Sequence, residues 1–180
     1  MASSSTRLMT FAEFEQLPET KEGFRYELRH GDPVKVPPAS HDHFLVQRQL
    51  RRLLERALSN VGEVEIELAF RPEAEHEYWI ADVAFVERSR WNDIPGKGHL
   101  QGAPELVIEV LSPSNTVAEM LDRRNVCLEN GALEFWLVDI EHRQVEVSTP
   151  DGHSILYKFG QKIPLTLAAG AHIAVDAIFQ

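Results

Sequence analysis

The stretch Pro104-Glu105-Leu106-Val107-Ile108-Glu109-Val110-Leu111-Ser112-Pro113-Ser114 constrains the fold more than any other part of the chain. Leu106, Ile108 and Val110 line one face of a strand, and Val107 and Leu111 line the other. A strand that is apolar on both faces belongs in the middle of a sheet covered on both sides. Packing gives no reason for Glu109 to stand there. A carboxylate buried alone is costly, so it needs a metal ion, a cation or several donors, and a functional site is the leading reading. Two plainer readings stay open: a buried Glu tied to an Arg, and a strand end that reaches water.

A chain of 180 residues is long enough for one domain with a sizeable core and too short for two. We expect a single domain over residues 10–180 after a disordered tail at 1–9. The tail is small and polar with no apolar segment behind it, so it is not a secretory signal. No apolar run approaches the roughly 20 residues that span a bilayer, which points to a soluble protein without a membrane partner. The single cysteine, Cys127, excludes an internal disulfide and a cysteine zinc site, in keeping with the cytoplasm. A net charge of −10 argues against coating nucleic acid by bulk electrostatics. It leaves local basic patches open, and it suits carboxylates gathered around a divalent cation.

Thr10-Phe11-Ala12-Glu13 reads as a capping box opening a short helix that ends near Pro18. Phe24 to Arg29 and Pro33 to Val36 flank a hairpin turn at His30-Gly31-Asp32. Ser40 caps a long helix from His41 to about Leu58, with Val46, Leu50, Leu53, Leu54 and Ala57 on one stripe. Glu63 to Phe70 alternates, placing Val64, Ile66, Leu68 and Phe70 on one face. Trp79 to Glu87 is a more buried strand, and residues 88–102 read as a loop. A second helix runs from Asn115 or Thr116 to Asn130-Gly131. Strands at Leu133 to Ile140, Gln144 to Ser148, Ile155 to Phe159 and near Ile173 to Val175 complete the sheet. This order gives a mixed α+β arrangement of the α/β type, a mixed sheet flanked by helices.

Asp82 is a second acid in an apolar strand, and alternation places it with Ile80, Ala84 and Val86. Two carboxylates from adjacent strands, a backbone carbonyl and waters suit Mg²⁺, and Mn²⁺ as well. Such an ion stabilises charge on a phosphoryl oxygen and makes a water easier to deprotonate. Alternatively, Asp82 is a strand-end residue capping a loop.

Five segments together resemble the Uma family of putative restriction endonucleases, within the PD-(D/E)XK nuclease superfamily. They are Tyr26-Glu27-Leu28-x-x-Gly31-Asp32, Pro38-Ala39-Ser40-His41, Ala81-Asp82-Val83-Ala84, the Pro104 to Ser114 stretch, and Gly131-x-x-Glu134-Phe135-Trp136-Leu137-Val138-Asp139. The resemblance runs from about Leu8 to Val147. It implies a restriction-endonuclease-like core and a divalent-metal-dependent endonuclease that hydrolyses phosphodiester bonds of DNA with Mg²⁺ or Mn²⁺. It implies that Asp82 is the metal-binding Asp, Glu109 the acid of the half-motif, and Val110 the donor of a backbone carbonyl. Glu27 matches the acid of the first hairpin and completes the site. His41 matches a His that orients Glu27 or touches a phosphate, although a lone His is more often structural.

The chain departs from the family at several positions. The usual lysine place, two residues after the acid, is Leu111; the family's lysine on the following helix falls on Arg123, and its following tyrosine on Cys127. Ala81 stands for the usual Pro, and Glu105 for the usual Asp. Arg123 holds phosphate charge through its fork but accepts no proton. Arg48, Arg52 and Arg56 form a stripe that could follow a phosphate backbone, or a solvated face paired with Glu55. Lys97 in Gly96-Lys97-Gly98-His99 is a candidate loop contact to DNA. The alternative function is a catalytically degenerate nuclease fold acting as a nucleic-acid-binding or regulatory module. A homodimer is expected because two-fold pairing is the commonest assembly.

Overall fold

The structure, a computed structural model, describes residues 7–18 and 23–180. Residues 1–6 of the expected tail lie outside the described residues. Met9 donates its N–H to the Gly31 carbonyl at 3.0 Å. Leu8 packs where a Cβ on Gly31 would stand, and Gly31 takes the positive φ of 76° that the hairpin turn needs.

In chain order the elements are α1 (Phe11–Phe14), β1 (Arg25–Arg29), β2 (Asp32–Val36), α2 (His41–Leu58), β3 (Gly62–Arg71) and β4 (Trp79–Glu87). There follow α3 (Arg88–Asn92), β5 (Leu100–Gln101), β6 (Leu106–Val110), α4 (Val117–Glu129), β7 (Glu134–Asp139) and β8 (Gln144–Ser148). The chain closes with β9 (Ser154–Tyr157), β10 (Lys162–Pro164), β11 (His172–Ala174) and α5 (Val175–Ile178). Capping boxes at Thr10 and Thr116 open α1 and α4, and Ser40 caps α2.

The main sheet has seven strands in the order β5-β3-β4-β6-β7-β8-β9. β6 lies at its centre, buried at every position, antiparallel to β4 and parallel to β7. On one face α2 presses Val46, Leu50, Leu54 and Leu58 onto Val64, Phe85, Ile108 and Trp136. On the other, Cys127 of α4 joins Phe70, Ala84, Val107 and Phe135.

Several elements differ from the sequence expectation. The helix after Thr10 ends at Phe14 rather than near Pro18. Residues 88–102 contain α3 and β5, the latter parallel to β3. The final strand leaves the sheet and pairs with β10 in a separate hairpin over the α2 core.

The strict alternation of β3 also fails. Val64 and Ile66 pack on the α2 side, whereas Leu68 and Phe70 pack on the α4 side. β4 reverses at the same level, with Trp79 and Ala81 in the α4 core and Val83 and Phe85 in the α2 core. Glu67, at a left-handed φ of 55°, marks the reversal; its register neighbours Ile66 and Leu68 pair with Val83 and Ala81, on either side of Asp82.

The edge of β4 changes partner just there. It pairs with β6 over Val83 to Phe85, while Tyr78 exchanges two 2.8 Å backbone hydrogen bonds with Leu28 of β1. Between these ladders no described strand neighbours β4 on that side.

None of the described helices is long and apolar enough to cross a membrane. The packing of α2 predicts that Leu54→Ala costs about 2–5 kcal/mol in urea unfolding, as for a fully buried Leu. Arg52→Ala on the exposed face of the same helix is expected to change stability by no more than about 0.5 kcal/mol.

Candidate active site

The unpaired stretch of β4 is completed by carboxylates. Glu27 Oε1 accepts the Ile80 N–H at 3.0 Å, and Asp82 Oδ2 accepts the Val110 N–H at 2.8 Å. Buried backbone donors require partners, and here two acidic side chains serve where the ladders stop. The reversal at Asp82 explains its direction: it faces α2, where Gln47, fully buried, donates to Oδ1 at 2.9 Å. It therefore does not share a face with Ala84 and Val86, which lie in the α4 core.

Glu109 leaves β6 on the opposite side from Ile108 and Val110 and meets Arg123, carried inward by α4 with Met120 and Cys127. Arg123 is 4% exposed. Its two terminal nitrogens fork onto Glu27 at 2.9 and 3.2 Å, and one also donates to the Ile80 carbonyl. Its Nε stands 2.8 Å from Glu109 Oε1, and the guanidinium lies 5.0 Å from the Trp79 ring centroid. Arg29 adds contacts of 2.8 and 2.7 Å to Glu27 Oε2.

The two buried acids respond differently. For Glu27, burial raises the carboxyl pKa, but Arg123 and Arg29 outweigh it and hold the group below its ordinary range. For Glu109, burial dominates and pushes the carboxyl up to about 8; Arg123 opposes, and Asp82 and Glu27 add to the rise. The geometry agrees. The close approach of Arg123 Nε and Glu109 Oε1 is off line, and neither atom has an aligned hydrogen-bond partner. Arg123 stays charged because Glu109 and Glu27 outweigh its burial.

These groups form the floor of a cleft of about 480 Å³, whose hairpin wall presents Arg25, Arg29 and Lys35. Arg25 also pairs with Glu67 at 2.8 Å. His41 is exposed at the start of α2 and does not line the cleft. The histidine at the site is His43, with Nε2 3.0 Å from Asp82 Oδ2. Its signal in the sequence was spacing, since His43, Gln47, Leu50 and Leu54 repeat on the buried stripe of α2. Arg48, Arg52 and Lys97 are exposed and lie outside the cleft lining. Arg51, rather than the stripe arginines, pairs with Glu55 and Glu65, at 2.8 and 3.3 Å. Glu105 is buried against Arg90 and the Glu87 N–H, a structural tie.

Each Glu27 oxygen accepts at least two bonds, Oε1 from the Ile80 N–H and Arg123 and Oε2 from Arg123 and Arg29, so neither keeps a lone pair for an ion. Capacity remains at Asp82 Oδ1, which accepts only from Gln47, and at the Glu109 carboxyl, whose Oε1 faces Arg123 without an aligned hydrogen bond; Val110 lines the same cleft. Among the described residues no three acidic, histidine or cysteine side chains already surround one point. Two carboxylates, with waters completing the shell, still match the hydrated coordination of Mg²⁺.

The fold recurs in a solved structure. It matches the crystal structure of a putative nuclease belonging to DUF820 from Anabaena variabilis ATCC 29413, with a TM-score of 0.80 and 21% sequence identity, over 95% of this chain and 97% of that one. The Uma2 family, described as "Putative restriction endonuclease", matches residues 11–176, and the chain belongs to it. None of the curated proteins matches this chain.

The raised carboxyl of Glu109 gives a pH dependence of definite sign. Unfolding releases its proton near the ordinary value of 4.5, whereas the folded chain keeps it to about 8. Stability from this group therefore falls as pH rises through that window, by up to about 1.4 kcal/mol per unit, and levels off above it. Glu109→Gln is expected to flatten the decline in melting temperature between pH 5 and pH 8; an unchanged slope contradicts the assignment.

Proposed function

We propose that this protein is a divalent-metal-dependent nuclease that hydrolyses phosphodiester bonds of DNA, with Asp82 and Glu109 as the acids of the PD-(D/E)XK pattern. The observation that carries the reading is that both carboxylates line one cleft with Val110, whose N–H holds Asp82, opposite a hairpin wall bearing Arg25, Arg29 and Lys35. A bound Mg²⁺ or Mn²⁺ supplies charge at the phosphoryl oxygen and acidifies a water.

The chain's own groups do the rest. Gln47 and the Val110 N–H fix the rotation of Asp82, so its oxygens are aimed before any ligand arrives. Glu109 holds a proton at neutral pH, which it would have to give up in order to ligate a cation. Glu27 positions Arg123 rather than binding the ion, and Arg123 adds fixed positive charge behind Glu109. Arg25 and Lys35 hold the phosphates that flank the scissile one.

One observation favours the alternative of a binding module: Arg123, in the place of the family's helix lysine, is locked by Glu27 and the Ile80 carbonyl. Nicking of supercoiled plasmid across a Mg²⁺ and Mn²⁺ titration separates the two. A nuclease nicks only with metal, and Asp82→Asn and Glu109→Gln each lose at least about 100-fold in rate, the scale on which electrostatic groups act. DNA binding without nicking by the native chain selects the binding module, and neither binding nor nicking removes both. A homodimer, which would present one cleft to each strand, is part of the proposal, and sedimentation velocity showing only monomer removes it.

A further inference from the structure

A second concavity of about 580 Å³ adjoins the cleft and shares Arg25 and Ile80 with it. Its walls are aromatic. Tyr78 lies 5.2 Å from Phe14 and 4.9 Å from His99 between ring centroids, and Phe11 packs beneath at 5.6 Å from Tyr78 and 5.8 Å from His99. Phe11 is buried, but Phe14, Tyr26, Tyr78 and His99 each keep part of their surface exposed. Burial lowers the pKa of the His99 ring, which favours its neutral form. Packing α1 onto the domain accounts for Phe11; it does not account for four further rings left open beside a cleft.

We propose that this concavity is a nucleobase subsite, and that the chain's preferred substrate is a strand with an unpaired base next to the scissile phosphate. The proposal rests on the nuclease reading for the place of that phosphate. Three observations carry it. The two concavities share a wall, so a strand whose phosphate lies at Asp82 and Glu109 brings a neighbouring nucleotide past Ile80. Arg25, the cation at the shared wall, suits the linking phosphate. Aromatic faces take bases of any sequence by stacking, whereas a base paired in a duplex cannot enter without leaving its stack. The volume is in the range of small-molecule pockets and larger than one base requires. In a chain of net charge −10, stacking also supplies affinity that bulk electrostatics does not.

The test uses the full-length Glu109→Gln chain, which keeps the strand intact, and a short single-stranded oligodeoxynucleotide with 2-aminopurine placed at each position in turn. The expected result is quenching on binding at one or two positions. Tyr78→Leu should abolish the quenching and weaken binding about ten-fold, Tyr78→Phe should retain both, and the matching duplex should bind without quenching. Tyr78 holds Leu28 through backbone atoms, so the side-chain change spares those bonds; Phe14→Leu is the second variant should Tyr78→Leu fail to fold. Binding without quenching at any position, or Tyr78→Leu and Phe14→Leu both binding like the parent, overturns the subsite, and metal-dependent plasmid nicking by the native chain then leaves the nuclease reading standing. A folded chain that binds no strand also overturns the subsite. If the native chain nicks no plasmid either, both readings fall.

Discussion

Arg123 is a buried cation, and the arrangement of four elements follows from the need to neutralise it. Its fork ends on Glu27 of β1, its Nε faces Glu109 of β6, it donates to the Ile80 carbonyl of β4, and it stands on α4. Charges this far from water are tolerated only when paired and hydrogen-bonded, and loss of one partner leaves another exposed to the full cost of burial. The hairpin, the central strands and the second helix are thereby tied through one guanidinium. Trp79 beneath it and Arg29 beside Glu27 close the cluster.

The same cluster repairs a defect in the sheet. β4 changes neighbour from β6 to β1, and a strand edge left between two ladders would strand its backbone groups. Glu27 accepts the Ile80 N–H, and Asp82 reaches across to the Val110 N–H. Acids that in another sheet would be surface residues are here part of the hydrogen bonding that holds the strands. Stability and the proposed chemistry therefore draw on the same atoms. The acid least satisfied by this arrangement, Glu109, is the one whose carboxyl is pushed up, which marks it as the group with most to gain from a cation.

The hairpin wall of the cleft carries Arg25, Arg29 and Lys35, with Arg25 paired to Glu67 and Arg29 to Glu27. The arginines of α2 do not reach the cleft: Arg48 and Arg52 are on the solvent face, and Arg51 is paired with two acids. Local placement, rather than total charge, decides whether such a surface accepts phosphate.

Local pattern made much of the fold legible. The doubly apolar run of β6, the apolar stripe of α2, the capping boxes at Thr10 and Thr116 and the turn at His30-Gly31 each report on a few neighbouring residues. Strand pattern and resemblance single out Asp82, Glu109, Glu27 and Arg123, and all four line one cleft. What the chain withheld depends on distant partners. The left-handed Glu67 reverses two strands at once and turns Asp82 toward α2, so that His43 and Gln47, not His41, stand against it. Glu77, which accepts from His30 and Trp79, gave no signal, because His30 becomes its neighbour only when the hairpin closes on β4. Period and capping are properties of adjacent residues and were determined by sequence alone. The direction of a side chain past a break in the pleat, and the pairing of a buried charge, are set by contacts between remote segments, and only the tertiary structure decided them.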